Sequence, residues 1–206
     1  VDIQFYGANC ISLSTKSRKI IIDDNLAELG AKNVSKPEDV ALFTNGKLDT
    51  PSTLIFDGPG EYEVSDVSII GIAARAHMDE EGKVNATMFK LIAGDYNILV
   101  TGHIYPELSE AQLERIGVID VLLVPVGGNG YTVDPVGAIK LIRAIEPKIV
   151  IPTHYADKVF NYPVPQQDLE NALKELAMEP KETVSKLKLK ATELSDVTQL
   201  VILEKS

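Results

Sequence analysis

Short apolar runs of strand length, separated by Gly, Pro and Asn or Asp turns, dominate the chain. The clearest unit spans residues 120–155. Residues 120–125 form an apolar run closed by Pro125, and Gly127, Gly128 and Gly130 break it. Asp134 then supplies a capping carboxylate, with Pro135 at the first helical position, where its missing N–H costs nothing. Ala138, Ile139, Leu141, Ile142 and Ile145 recur at spacings of three and four, which predicts a helix with one apolar face. Pro147 stops it, residues 148–151 form a second apolar strand, and Pro152, Thr153 and His154 follow. Strand, helix and strand in this order imply a parallel pair with a crossover helix. Functional groups in such units collect beyond the carboxyl ends of the strands, where His154 stands at one end and Asn129 and Tyr131 at the other.

The same pattern predicts strands at residues 1–5, 10–14, 19–22, 40–43, 53–56, 67–72, 87–92 and 97–100, with a sharp turn at 58–60 before residues 61–63. Gly94 and Asp95 make a tight hairpin turn between the last two. Residues 25–39 have no clear period and read as a loop. A short helix over 108–116 has Ser109 as a cap, and residues 167–178 carry Leu169, Leu173 and Leu176 on one face. The alternation of Lys186, Lys188 and Lys190 with leucine predicts a strand with one wet face, and residues 199–203 a final strand. Hairpins favour mixed sheets over a purely parallel one. The elements suit two sheets packed face to face with helices outside, although composition equally permits a three-layer α/β fold.

Length and composition narrow this further. A chain of 206 residues with 45% apolar content suits one filled domain, taken as residues 1–206. No apolar run approaches the ~18 residues of a membrane span. The opening residues lack the zones of a secretory leader, so a cytoplasmic location is expected. A net charge of −10 disfavours a broad nucleic-acid footprint. The one cysteine, Cys10, excludes an internal disulfide and reads as a core residue.

Candidate chemistry centres on three histidines, His77, His103 and His154. His103 and His154 each follow an apolar strand, and strands pointing the same way would let them converge. Histidine with carboxylate is the usual donor set for zinc, and with more oxygen for iron or manganese. Asp49, after the 40–43 strand, is the nearest carboxylate by topology. The alternative is that these histidines simply finish strand ends. Glu61, beside Gly58 and Gly60, reads as a turn residue because no P-loop lysine follows.

At these residues the chain resembles the metallo-β-lactamase superfamily, and within it the compact bacterial branch of zinc-dependent hydrolases that includes the ascorbate-6-phosphate lactonase-like proteins. The likeness is carried by residues 3–7, 10–13 and 19–23, and most specifically by 119–128, 131–135 and 147–155. It implies an αββα four-layer sandwich of two mixed sheets, with the site at one edge, and it makes His154 a metal-ligand position. The resemblance also exposes departures. The family's His-x-His-x-Asp-His loop corresponds to Asn45, Lys47, Asp49 and Thr50, so only the aspartate is kept. The family's bridging aspartate corresponds to His103, whose two ring nitrogens point apart and bridge poorly. His77 falls near the intervening family histidine.

An ordinary two-zinc site is therefore not expected. Two readings remain. One is a degenerate, metal-free domain whose cleft binds a small anion, another small molecule or a partner protein, with Asn45, Lys47, Glu61, Arg75 and His103 as contacts; a homo-oligomer is also compatible. The other is a single-metal hydrolase of an ester, lactone or phosphodiester, with zinc, manganese or iron on Asp49, His77, His103 and His154. There Asp49 would orient a metal-activated water, and Asn129 or Tyr131 would donate to the developing oxyanion. A lysine at position 47 opposes a nearby cation.

Overall fold

The computed structural model describes residues 1–46, 48–190 and 194–206. Lys47, one of the candidate contacts, lies outside the described residues.

Among the described residues fourteen strands form two mixed sheets. The smaller contains β1 (Asp2–Gly7), β2 (Cys10–Ser14), β3 (Lys19–Ile22), β4 (Val40–Leu42), β5 (Leu54–Phe56) and β13 (Leu187–Lys188), in the order β13-β1-β2-β3-β4-β5. The larger contains β6 (Gly60–Val64), β7 (Val67–Ala74), β8 (Ala86–Ala93), β9 (Tyr96–Val100), β10 (Val121–Pro125), β11 (Ile149–Thr153), β12 (Pro180–Val184) and β14 (Gln199–Leu203), in the order β12-β14-β11-β10-β9-β8-β7-β6. The helices are α1 (Glu110–Ile116), α2 (Pro135–Ile145) and α3 (Leu169–Leu176).

Side-chain alternation builds the layers, because successive residues of a strand face opposite sides. Ile20 and Ile22 of β3 join Val121 and Leu123 of β10 and Ile149 and Ile151 of β11 in the core between the sheets. Leu122, Val124 and Val150 point the other way, under Ala138, Leu141 and Ile145 of α2 and Ala172 and Leu176 of α3. The expected βαβ unit is present, with β10 and β11 parallel and Leu123 beside Ile151. Asp134 caps α2 by accepting from the Gly137 N–H at 2.7 Å, and Ser109 closes a capping box with Gln112 on α1.

Two features were not legible in the pattern. Strand β12 reads as a charged segment, yet it pairs in parallel with β14 at the sheet edge, where Lys181 and Glu182 meet solvent. Among the described residues the α-helices pack against the larger sheet, whereas Cys10 and Ile21 on the outer face of the smaller sheet are covered by Leu26, Leu29 and Phe160 from loops.

A buried polar clamp ties three strands of the larger sheet together. The Asp120 carboxylate accepts from the Asn97 N–H at 2.8 Å and from Lys148 Nζ at 2.9 Å, just before β10 begins. The aspartate side chain is 6% exposed and that of Lys148 35%, so the lysine can rehydrate on its own while the amide cannot. Asp120→Ala is therefore expected to lower stability by about 2 kcal/mol, and Lys148→Ala by less. Urea denaturation of both variants checks the order, and a larger loss in Lys148→Ala would sink this account.

Candidate functional site

Two sheets with apolar faces can accept polar groups only where the strands end, and there the candidate residues gather. Strand β3 ends at Asp23, in the left-handed region with φ of 52°. Its carboxylate accepts from the Thr44 N–H at 2.7 Å and from the Thr44 hydroxyl at 2.6 Å, which binds the end of β3 to the end of β4. Burial pushes the Asp23 carboxyl up to about 6, although the two Thr44 bonds pull against it. Next door, Asp24 accepts from the N–H groups of Val34 and Ser35 and folds the 25–35 loop back.

Thr44 also joins the two sheets. Its carbonyl accepts from the Thr87 N–H at 2.8 Å, and its side chain occupies the space a Cβ at Gly102 would need. A glycine at 102, with φ of 61°, is thus what permits the contact. On the far side, Asn9 accepts from the Thr153 hydroxyl at 2.8 Å, and Ala8 O accepts from the His154 N–H at 2.8 Å.

The structure brings His103 and His154 together, edge to face, with ring centroids 4.5 Å apart. Tyr131 stands 5.6 Å from the His103 ring and Tyr162 5.1 Å from the His154 ring. His154 is 2% exposed, and its Nδ1 lies 3.1 Å from Gln166 Oε1. Burial holds the His154 imidazole down at about 4. His103 is depressed well below the ordinary histidine range, first by burial and then by its neighbours His154 and His77. Both rings are neutral at pH 7.

A cavity of about 200 Å³ opens beside His103, whose ring separates it from His154 by one edge-to-face contact. Asn9, Asn25, Thr44 and Asn45 form much of its wall, with Asp23, Glu28, His103 and Tyr131 completing the polar part. Three buried atoms on these residues have no protein partner, namely Asn9 Nδ2, Asn25 Oδ1 and His103 Nδ1.

The other candidates lie elsewhere. Asp49 is exposed and borders a separate depression with Leu48, Thr50 and Ile55. His77 is joined to the site through its backbone, donating its N–H to His103 O at 2.8 Å, while its Nδ1 lies 3.4 Å from Ile104 O. Asn129 donates its side-chain amide to Pro165 O. Glu61 pairs with Arg115 at 3.2 Å in an outer groove, and Arg75 lies over the Tyr105 ring at 4.0 Å in another. Asn9, Asn25, Thr44 and Gln166 were not anticipated. The hint for the first group was the Asp23–Asp24 pair directly after the apolar run of residues 20–22, and nothing local marks Gln166.

The model for the Beta-lactamase superfamily domain matches residues 2–154, about three quarters of the chain. The chain belongs to the beta-lactamase superfamily. A UPF0173 protein of Pyrococcus furiosus is 33% identical over 178 residues, covering 75% of this chain and 83% of that one. A structure from Thermotoga maritima, assigned to the Zn-dependent hydrolases of the metallo-beta-lactamase superfamily, is 25% identical with a TM-score of 0.75 and 98% of each chain covered. The metallo hydrolase Igni18 of Ignicoccus hospitalis shares the fold at 14% identity, with a TM-score of 0.64 over 100% of this chain and 95% of that one.

The superfamily implies metal, and this member's donor set does not fit one. Among the described residues no group of three or more His, Cys, Asp or Glu side chains is placed to hold an ion. The Asp23 oxygens are engaged by Thr44, Asp49 borders another depression and His77 turns to Ile104, which leaves two imidazoles where a catalytic zinc needs three protein ligands.

The buried groups fix a pH dependence. His154 drops from 6.5 in the unfolded chain to about 4 when folded, so its contribution is complete above 6.5 and is lost as pH falls toward 4, by up to about 3 kcal/mol. Asp23 rises from 3.8 to about 6, so its contribution is complete below 3.8 and is lost as pH rises through 6. The two oppose each other between pH 4 and 6. Asp23→Asn removes the offset, and its acid loss is expected to be steeper than that of the unsubstituted protein in urea melts at pH 7, 5.5 and 4.5. Parallel profiles would refute the assignment.

Proposed function

We propose that this chain is a non-hydrolytic member of the superfamily whose cleft binds a small, hydroxyl-bearing molecule through amide, hydroxyl and imidazole groups. The observation that carries the reading is the cavity bordered by His103 and walled by Asn9, Asn25, Thr44 and Asn45. Each buried polar atom without a partner costs about 1–3 kcal/mol, so a molecule offering an acceptor to Asn9 Nδ2 and a donor to Asn25 Oδ1 recovers part of that penalty. The Asp23 and Glu28 carboxylates on the same wall disfavour a small anion and favour an uncharged guest. The volume of about 200 Å³ suits an uncharged molecule of polyol or sugar-lactone size. Resemblance to the ascorbate-6-phosphate lactonase-like branch supports hydroxylated ligands without supplying the metal that hydrolysis there requires.

The residues divide the work by polarity. Asn9 is anchored through its carbonyl to Thr153, so its amide N–H is the part left to donate. Thr44 is committed to Asp23 and sets the shape of the wall. Tyr131, at the ring of His103, closes one side.

Element-specific analysis of natively purified protein, repeated after zinc or manganese is added, is expected to find well under one metal per chain. A thermal-shift panel of neutral polyols and lactones is expected to raise Tm by a few degrees for a ligand present at about 100 times its Kd, and Asn9→Ala to abolish that rise. About one metal per chain, lost in His154→Ala, would overturn the reading in favour of a mononuclear hydrolase of an ester, lactone or phosphodiester.

A further inference from the structure

The amide of Gln166 has only one workable orientation. Its Nε2 donates to Val164 O at 2.7 Å, and a carbonyl can only accept, so the nitrogen must face Val164. The amide oxygen is then the atom 3.1 Å from His154 Nδ1. That oxygen cannot donate, so the imidazole nitrogen must carry the hydrogen. A neutral imidazole has one N–H, and with Nδ1 protonated the lone pair falls on Nε2.

We infer that Gln166 is a positioning residue that holds His154 as the Nδ1–H tautomer, leaving Nε2 as a hydrogen-bond acceptor. Free neutral histidine prefers the opposite tautomer, so the protein reverses an intrinsic preference. The surroundings are built for this. A Cβ at residue 127 would lie 2.2 Å from Gln166 Oε1 and 2.0 Å from His154 O, so Gly127 is the slot that lets the amide reach the ring. The segment is clamped from both sides. The Gln167 N–H donates to Gly127 O at 2.8 Å, the Ala156 N–H donates to Gln167 O at 2.8 Å, and Asn129 holds Pro165 O. Gln166 itself is 8% exposed.

The tautomer decides what the ring can recognise. With Nδ1 committed, any group meeting His154 at its other nitrogen meets an acceptor, and must bring an O–H or N–H. A carboxylate or a dianionic phosphate brings neither. This selectivity rests on the cleft reading proposed above, whereas the tautomer itself does not.

The experiment is a long-range ¹H–¹⁵N correlation spectrum of the ligand-free, ¹⁵N-histidine-labelled protein at pH 7.5, which tells protonated from bare ring nitrogens. The expected spectrum has a protonated Nδ1 and a bare Nε2 at His154, in excess over the other tautomer by about fivefold or more. Gln166→Leu, which removes the accepting oxygen, is expected to shift the balance toward Nε2–H. A bare Nδ1 in the unsubstituted protein would overturn the inference, and needs no variant to fold. An unchanged tautomer in a folded Gln166→Leu protein would overturn the role of Gln166. A metal-binding result in the preceding assays would leave this readout intact, because the spectrum is taken on the metal-free chain.

Discussion

Apolar burial on both faces of the central strands is the constraint from which the rest of this molecule follows. Strands β3, β10 and β11 are fully or nearly fully buried along their length, with alternate residues serving the core between the sheets and the layer outside. No polar side chain can be carried in the middle of such a strand without a large desolvation penalty. Polar chemistry is therefore displaced to the carboxyl ends, and Asp23, Thr44, His103 and His154 all stand there. The site is a by-product of where a two-sheet core allows water and hydrogen bonds to return.

What replaces cations in such a place is a matter of charge. A fold that ordinarily balances carboxylates and imidazoles with metal must hold them some other way when ligands are lost. Here the imidazoles stay neutral because burial makes their protonation unfavourable. Asp23 is stabilised by two short bonds from Thr44, and Asp24 by two backbone N–H groups. These are local, hydrogen-bonded solutions that hold the carboxylates through neighbouring N–H and O–H groups. At Asp23 the network is local, since both bonds come from the one residue Thr44.

Much of the architecture was legible from periodicity. Strand β2 and strand β3 fall where alternation predicts them, and Asp134 and Ser109 cap the helices that follow them. Strand β12 was not legible because an edge strand with exposed lysine and glutamate has no buried face to announce it. The site was legible only in part. Strand-end position and the family resemblance bring out His103, His154 and Tyr131. Asn9 and Gln166 reach the same place from residues 144 and 12 positions distant from their partners Thr153 and His154, through turns whose geometry leaves no periodic trace. Asp49 illustrates the converse, since matching a motif position did not bring its side chain to the cavity of the histidines.

The cover of the smaller sheet has a dynamic consequence. Its outer face is closed by loop residues Leu26, Leu29 and Phe160, joined through the Asn161 N–H to Leu29 O, and the loop that includes Leu26 also supplies Asn25 and Glu28 to the cavity wall. The backbone bonds of residues 28–31 run within the loop itself, to the carbonyls of Asn25, Leu26 and Ala27, and a cover tied mainly to itself can open at lower free energy than strands buried in a two-sheet core. Sub-global opening of this cover would expose the cavity and Cys10 beneath it while leaving the inter-sheet core closed. Amide exchange faster in residues 25–34 than in β3 and β10 would mark that opening as a unit separate from global unfolding.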